Sequence, residues 1–348
     1  MREPTSKNVT ITQVALKAGV DRSTVSRALD PKKRALISDA VVKRVEATAQ
    51  ALGYRPNQLA AALRTRRSGA VGVLLPDITN PVFPPIVKGI EETLRAAGCV
   101  ALVANADGDA ASQAEVFEQM LARRVDGLII ATAARDDLLV ARCIAQHVPF
   151  VLVNRGADGA ELSMVVNDDR LGTRMAVQHL AALGHTHIAH LAGPQNLSTG
   201  FVRRAGFVAA MREAGLPAGS IVNCTGYSRE AGKAGCEKLF AKSPDITAIV
   251  AANDLLALGC YDALQAMKLT CPADVSVIGH NDMPLMDMVS PAMTTVRIQH
   301  REMGAQAARL LLAQIATPER QPECVVLQPA MILRGSTSAA RPVEKRGK

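Results

Sequence analysis

The stretch VTITQVALKAGVDRSTVSRAL, residues 9–29, reads as two short helices joined by a tight turn. Thr10 stands where an N-cap belongs, and Gln13, three residues on, completes a capping box. The first helix is expected from about Ile11 to Ala18, with Val14 and Ala15 facing inward. Gly19 supplies the backbone freedom of the turn. Asp21 is the expected cap of a second helix, about Arg22 to Leu29, whose apolar side is Val25 and Leu29.

Outward from this pair, a basic loop runs from Pro31 to Ile37, and Ser38 is placed to cap a third helix. Val41, Val45, Thr48 and Leu52 fall at helical spacing along it, and Gly53 ends it. Tyr54-Arg55-Pro56 then breaks the pattern, and Asn57 opens a short segment to Leu63. The charge is divided just as sharply. Residues 1–67 carry 14 Lys and Arg against 5 Asp and Glu, while the rest carries 26 against 27, so the net +8 of the chain sits entirely on its head. Such asymmetry points to a polyanion as partner of the head alone. A solubilising tail is the alternative, but a disordered tail has no need of caps and helical spacing.

After Arg67-Ser68-Gly69 apolar strands alternate with amphipathic helices. Strands are expected at Val71–Pro76, Val100–Asn105, Gly127–Thr132, Phe150–Asn154, His187–Ala192, Ala248–Asn253 and Val275–Gly279. Helices are expected between them, among them Pro84–Ala97, Ala111–Arg123, Leu171–Leu183, Arg203–Ala214 and Leu255–Met267. Repeated βα alternation implies parallel sheets covered on both faces. The fold class is therefore an all-α helix-turn-helix head followed by an α/β core, with a polar tail at the end.

Several function classes are disfavoured. No apolar run reaches the roughly 18 residues of a membrane span. Met1 to Thr10 lacks the apolar stretch of a secretory signal, so a soluble cytoplasmic protein is expected. The seven cysteines are odd in number and none are spaced as CxxC, which speaks against a disulfide framework or a zinc ribbon. His185, His187 and His190 do not suggest a metal: in a strand the first two share one face and the third takes the other. Asp168-Asp169 is read as a place where the chain crosses between subdomains, not as an acid/base pair. With no Walker loop, nucleophile elbow or zincin motif, no enzyme, cofactor or metal is expected.

In a helix-turn-helix the second helix presents its N-terminal side chains to base edges in the major groove. Here those are Arg22, Ser23 and Arg27, with Arg22 or Arg27 suited to the paired acceptors of a guanine. Thr12, Thr24 and Ser26 are candidates for phosphate oxygens, and Lys7, Lys17, Lys32, Lys33 and Arg34 for diffuse attraction.

Residues 9–29, together with Gly53-Tyr-Arg-Pro-Asn57 and Leu59-Ala-Ala-Ala-Leu63, resemble the head of the LacI/GalR family of repressors. The likeness continues to about residue 336 through Asp77-Ile-Thr-Asn-Pro81 with Phe83, Leu183-Gly-His185, Leu191-Ala-Gly-Pro194, Arg203-Arg-Ala-Gly-Phe207, Ala252-Asn-Asp254 and Val277-Ile-Gly-His-Asn-Asp282. It implies a DNA-binding head over 1–55, a hinge helix and linker over 56–68, and a periplasmic-binding-protein-like core over 69–340 ahead of a tail at 341–348. That core would comprise two parallel-sheet subdomains, about 69–167 with 298–327 and about 168–297 with 328–340. The implied protein is a repressor that binds a pseudo-palindromic operator on double-stranded DNA as a homodimer, because the tail lacks the heptad repeat of the family's tetramers. A small-molecule effector, a sugar, sugar acid or sugar phosphate, would control it. The alternative, a periplasmic-type solute-binding protein for transport, shares the body but has no use for a basic head.

Residue by residue, the resemblance puts Arg22 and Ser23 at the variable base-reading pair and Arg27 at the arginine that ends the reading surface. Asn57, Ala60 and Leu63 fall on the hinge helix, Leu63 at the leucine wedged into the minor groove, where an ordinary linker residue is the alternative. The segment from Asp30 to Ile37 is about two residues longer than in the type member, which weakens carry-over of its phosphate contacts. In the body, ligand clefts of parallel sheets lie at the carboxyl ends of strands. The polar residues there are Asp77, Asn80, Asn154-Arg155, Asn253-Asp254 and Asn281-Asp282. The resemblance adds Arg203 as an effector-contacting arginine, Tyr227 as an aromatic wall, Phe83 from its motif and Asn253 as a pocket asparagine. Asn154 and Asn281 fall where the type member has pocket aspartates. Their substitution removes two charges and adds donors, so with Arg155 and Arg203 nearby an anionic sugar derivative is favoured beside a neutral sugar held by amides.

Overall fold

The computed structural model describes residues 9–30, 33–54, 67–106, 109–159 and 161–341. They form two compact units that part between Ser68 and Gly69. The first unit holds α1 (Ile11–Ala18), α2 (Arg22–Ala28), a 3-10 turn (Arg34–Leu36) and α3 (Asp39–Leu52). The capping box forms: Thr10 N–H donates to Gln13 Oε1 at 2.8 Å, and Gln13 N–H to Thr10 Oγ1 at 3.4 Å. Gly19 takes φ 61°, the left-handed conformation that ends α1 and aims the chain into α2.

Two expectations for the head are corrected. Asp21 and Ser38 occupy N-cap positions with extended backbone, but neither side chain turns back onto its helix. The first turns of both helices are largely exposed, so water can meet their free N–H groups. The inward row of α3 is Val42, Val45 and Ala49, with Val41 and Leu52 only at its margin. Thr48 turns away and donates to Arg44 O at 2.8 Å. The stripe is rotated by one position because the small Ala49 meets the core made by Val14, Ala15, Ala18, Val25 and Ala28.

The second unit contains two six-stranded sheets. The first is built from β1 (Ala70–Leu75), β2 (Val100–Asn105), β3 (Gly127–Ile130), β4 (Phe150–Val153) and β5 (Met164–Asn167), with helices α4 (Phe83–Ala96), α5 (Ala110–Ala122) and α6 (Leu138–Ala145) between them. The chain then enters α7 (Asp169–Ala182) and lays down β6 (Ile188–Ala192), α8 (Ser198–Glu213), β7 (Ile221–Asn223), α9 (Arg229–Lys242), β8 (Ala248–Ala251), α10 (Asp254–Ala266), β9 (Ser276–Asn281) and β10 (Thr294–Arg297). After α11 (His300–Ala316) it returns to the first sheet as β11 (Cys324–Leu327) and to the second as β12 (Ala330–Ile332). The strand orders are β11-β5-β4-β3-β1-β2 and β12-β10-β9-β8-β6-β7. All pairs are parallel except β10 with β12.

The uninterrupted runs Gly-Leu-Ile-Ile of β3 and Phe-Val-Leu-Val of β4 are buried throughout, as strands covered on both faces must be. The chain passes between the sheets three times, at 167–169, 297–300 and 327–330. α11 packs along α4, and the contact is so close that a Cβ on Gly89 or Gly304 would strike the facing backbone carbonyl of Arg301 or Ile86. Five strands, β5, β7, β10, β11 and β12, were not named from sequence. Each has only three or four residues, too few for periodicity to tell a strand from a loop or a helix turn. No helix of the described residues is long and apolar enough to cross a membrane.

Candidate reading surface and ligand cleft

On α2, Val25 and Ala28 are buried in the head's core. Arg22, Ser23, Ser26 and Arg27 lie on the opposite, exposed face, Thr24 is half-buried, and Thr12 is exposed on α1. Neither Arg22 nor Arg27 forms an ion pair with a described residue, so two cations stand free at the start and near the end of this helix. Arg34, by contrast, is tied to Glu46 at 2.8 Å, which reduces its share in diffuse attraction. Asn57, Ala60 and Leu63, with Lys7 and Lys32, lie outside the described residues.

In the body, a cavity partly open to solvent is lined by Asn80, Val82, Phe83, Asn154, Arg155, Thr199, Arg203, Tyr227, Asn253 and Asn281. Every lining residue lies at or beyond the carboxyl end of a strand: β1, β4, β6, β7, β8 or β9. Eight of the eleven residues expected there from sequence are thus brought together. Asp254 and Asp282 lie behind the wall, and Asp77 is turned away from it. It is exposed, and its Oδ1 accepts from Thr79 N at 2.8 Å and Thr79 Oγ1 at 2.6 Å, so its carboxylate shapes the turn that brings Asn80 round to the cavity.

Asn154 and Asn281 sit at matching places, just past β4 and at the end of β9, with φ 66° and 112°. Asparagine is among the few residues that tolerate positive φ, and such backbone is typical of binding sites. The amides are oriented by their partners. Asn80 Oδ1 accepts from Val82 N at 3.2 Å, Asn253 Oδ1 from Leu256 N at 2.9 Å, and Asn281 Oδ1 from Arg203 Nη2 at 3.4 Å. Thr199 Oγ1 and Tyr227 Oη are bonded to each other at 3.0 Å. The phenol packs on Gly193, where any Cβ would collide with it, and burial pushes its pKa up.

Arg203 is 2% exposed and fully engaged. Its Nε donates to Asp169 Oδ1 at 2.9 Å and its Nη1 to Ala252 O at 2.6 Å, in addition to Asn281. Burial pushes the Asp169 carboxyl up, but Arg203 and His280 together outweigh it and hold the group below its ordinary value. His280 Nε2 lies 3.3 Å from the same oxygen, too poorly aligned to make a full hydrogen bond. Burial, then the charge of Arg203, pushes His280 down to about 4. Asp169 is the residue that sequence reasoning passed over. Asp168 caps α7 by accepting from Leu171 N at 2.9 Å, and its neighbour points the other way, into the cleft wall. The signal was an Asp-Asp pair at a helix start, where the second carboxylate needs a reason to be buried. Thr199 and Val82 also went unnamed.

Behind the wall, Asp254 is buried and accepts from Thr295 Oγ1 at 2.6 Å and Met283 N at 2.8 Å; burial pushes its carboxyl up to about 7. Asp282 binds Arg297 at 2.6 Å and Arg334 at 2.7 Å. Neither carboxylate lines the cavity. Across the cleft, Arg135 N donates to Asn196 O at 2.8 Å and Gly156 N to Ser198 Oγ at 2.9 Å. The Arg135 guanidinium lies 3.8 Å over the Phe201 ring and 2.6 Å from Asp158. The three histidines diverge: His185 bonds Thr247 and Ser338, His187 faces Asp245, and His190 bonds Val250 O at 2.7 Å. Among the described residues no group of three or more His, Cys, Asp or Glu is placed to hold a metal ion.

Residues 10–57 match the family model described as bacterial regulatory proteins, lacI family, and residues 177–337 match that of a periplasmic binding protein-like domain. The chain is 34% identical over 333 residues to the HTH-type transcriptional regulator DegA of Bacillus subtilis (strain 168), spanning 94% of this chain and 98% of that protein. Among solved structures, the lac repressor dimer bound to operator and the anti-inducer ONPF aligns with a TM-score of 0.82 at 28% identity, covering 96% of this chain and 100% of that one. The complex of the transcriptional regulator CelR with cellobiose aligns with a TM-score of 0.72 at 29% identity, covering 94% and 100%.

Proposed function

Because the chain belongs to the LacI family of DNA-binding transcriptional regulators, we propose that it is a cytoplasmic repressor whose grip on its operator is set by a small molecule bound in the body's cleft. The observation that carries this reading is the cavity at the strand ends, lined from both sheets by amides, hydroxyls, two aromatic rings and two arginines. It offers a set of hydrogen-bonding groups suited to a sugar, sugar acid or sugar phosphate. A ligand that favours one arrangement of the two sheets shifts the protein toward it by its differential affinity. The similar structures holding cellobiose or an anti-inducer support a carbohydrate-like effector here.

The operator would be pseudo-palindromic and the reader a homodimer, because one head reads only one half-site. Arg22, Ser23 and Arg27 would read base edges, while Thr12, Thr24 and Ser26 meet phosphates. Both arginines are exposed and form no ion pair among the described residues, which supports this assignment. Asn57, Ala60 and Leu63 would form the minor-groove element, with Leu63 as the wedge. A transporter's solute-binding protein, the competing reading from sequence, is set aside by the family of the head. Nuclease footprinting of the upstream region of the gene with wild type, Arg27→Ala and Leu63→Ala tests the assignment. We expect a palindromic footprint that either variant weakens; unchanged protection in both overturns the assigned head mechanism.

A further inference from the structure

We propose that the effector carries a carboxylate, as a sugar acid does, and that Arg155 is the residue that binds it. The inference rests on the reading of the cleft as the effector site and deepens it. From sequence, Arg155 and Arg203 contribute equally to a positive pocket; the structure separates them. Arg203 has its charge answered by Asp169 and also bonds Ala252 and Asn281, so each of its guanidinium nitrogens already has a partner. Arg155 lines the same cavity, yet its buried Nε has no hydrogen-bond partner. The titratable groups that act on it are Tyr227 and Arg203, neither of which is a carboxylate. An arginine keeps its proton in a protein, so this is a partly buried cation with no counter-charge among the described residues. Such a charge is costly unless it is paired.

The amides point to the same ligand chemistry. The donors facing Asn80, Asn253 and Asn281 are two backbone N–H groups and a guanidinium, which fixes all three side-chain oxygens toward the protein. Each side chain is left with its NH₂ group for the cavity. The hydroxyls of Thr199 and Tyr227 share one hydrogen bond, which leaves a single O–H between them to donate, and the Asn154 amide adds one acceptor oxygen. With the Arg155 guanidinium, donors still outnumber acceptors, the complement of a ligand rich in acceptor oxygens. A carboxylate is acceptor-only, whereas each hydroxyl of a neutral sugar also brings a donor that needs an acceptor. One uncommitted cation suits a monoanion; a phosphate ester, carrying close to two charges, calls for more.

Calorimetry on the full chain tests this with D-galacturonate and D-gluconate, their neutral counterparts D-galactose and D-glucose, and D-glucose 6-phosphate. We expect an acid to bind about tenfold or more tighter than its neutral counterpart, the worth of a hydrogen bond to a charged group. Arg155→Gln should erase that preference and Arg155→Lys, which keeps the charge, should restore part of it, with thermal unfolding checking that both variants fold. Equal binding of acid and neutral sugar, preference for the phosphate, or no binding of either acid overturns the carboxylate assignment. Asn80→Ala separates this failure from that of the underlying reading. If neutral sugars bind and Asn80→Ala weakens them, the cleft stands and only the carboxylate falls. If an acid binds but neither Arg155→Gln nor Asn80→Ala affects it, the ligand sits elsewhere and both readings fall.

Discussion

The head and the body handle polar side chains in opposite ways. On the head, Thr12, Arg22, Ser23, Ser26 and Arg27 are exposed, and Arg22 and Arg27 form no ion pair among the described residues, above a small core of valines and alanines. In the body, most groups at the cleft are buried and already bonded to one another: Arg203 to Asp169, Asn281 to Arg203, Asn253 to the start of α10. Recognition is separable from stability in the first region and entangled with it in the second. A DNA surface offers its own charges and water to unpaired side chains, whereas a buried wall must satisfy each polar group before any ligand arrives.

The largest expected effect follows from breaking the entanglement. Asp169→Ala leaves the Arg203 guanidinium buried without its carboxylate, a change that typically costs about 3–5 kcal/mol. Urea unfolding should show a body destabilised by that order and unable to bind ligand. A loss below about 1 kcal/mol would mean that Arg203 finds another partner and the wall is not interdependent.

Acid should also divide the two regions. All seven histidines lie in the body. Burial pushes His190, His280 and His300 each down to about 4. The unfolded chain takes up protons on these rings near pH 6.5, before the folded chain does, so stability present above pH 6.5 is lost as pH falls toward 4. Each contributes about 2 kcal/mol between pH 6.5 and 5. Asp254, raised to about 7, acts in the opposite sense over the same range, because the folded state holds its proton more tightly. Three rings against one carboxyl leave the body less stable at pH 5 than at pH 7. Calorimetric melting from pH 7.5 to 5 should move the body's transition down while an isolated head transition, if resolved, shifts less. A body transition that is level or rises on acidification contradicts the burial of these rings.

The same contrast explains what was legible in the sequence. The head announces itself through local chemistry: the capping box of Thr10 and Gln13, the turn at Gly19 and the excess of positive charge. The parallel-sheet class was legible from apolar runs such as those of β3 and β4. So were most cavity residues, because strand ends are where such clefts form. What was hidden depends on contacts distant in sequence. Asp169 meets Arg203 only once α7 and α8 pack. Asp77 is the local exception: Thr79, two residues away, captures its carboxylate and turns it from the cavity. The short strands β11 and β12 exist because the chain returns to sheets already formed. The inward row of α3 shifted by one position, since periodicity gives a stripe but not the side chains it must meet.

On the head, Arg27→Ala should cost about 1–3 kcal/mol of operator affinity, the worth of a bidentate guanine contact, and relax selectivity at one base pair. Stability should stay within about 0.5 kcal/mol, as for other exposed substitutions. Gel-shift titration at fixed salt beside thermal unfolding measures both. A variant that loses affinity equally for all sequences would turn Arg27 from a reader into a phosphate contact. One that loses stability would remove the distinction between the two regions.

The smallest effect sharpens the comparison at the one place where the body behaves like the head. Arg135 is partly exposed, yet it spans the cleft through its backbone bond to Asn196 and its stacking on Phe201. Arg135→Ala leaves the backbone bond in place and removes only the ring contact and the pair with Asp158. An exposed cation–π contact and a surface pair are each worth about 0.5–1 kcal/mol at most. The bridge is therefore weak enough to open with thermal energy and still bias the two sheets toward closure. Its loss should weaken effector binding about twofold to tenfold with little change in unfolding free energy. The effect should shrink as salt rises, because part of it is a screened surface pair. Unchanged effector affinity would show that the buried wall alone holds the sheets together, and that the division between an open surface and a committed interior has no exception at the cleft mouth.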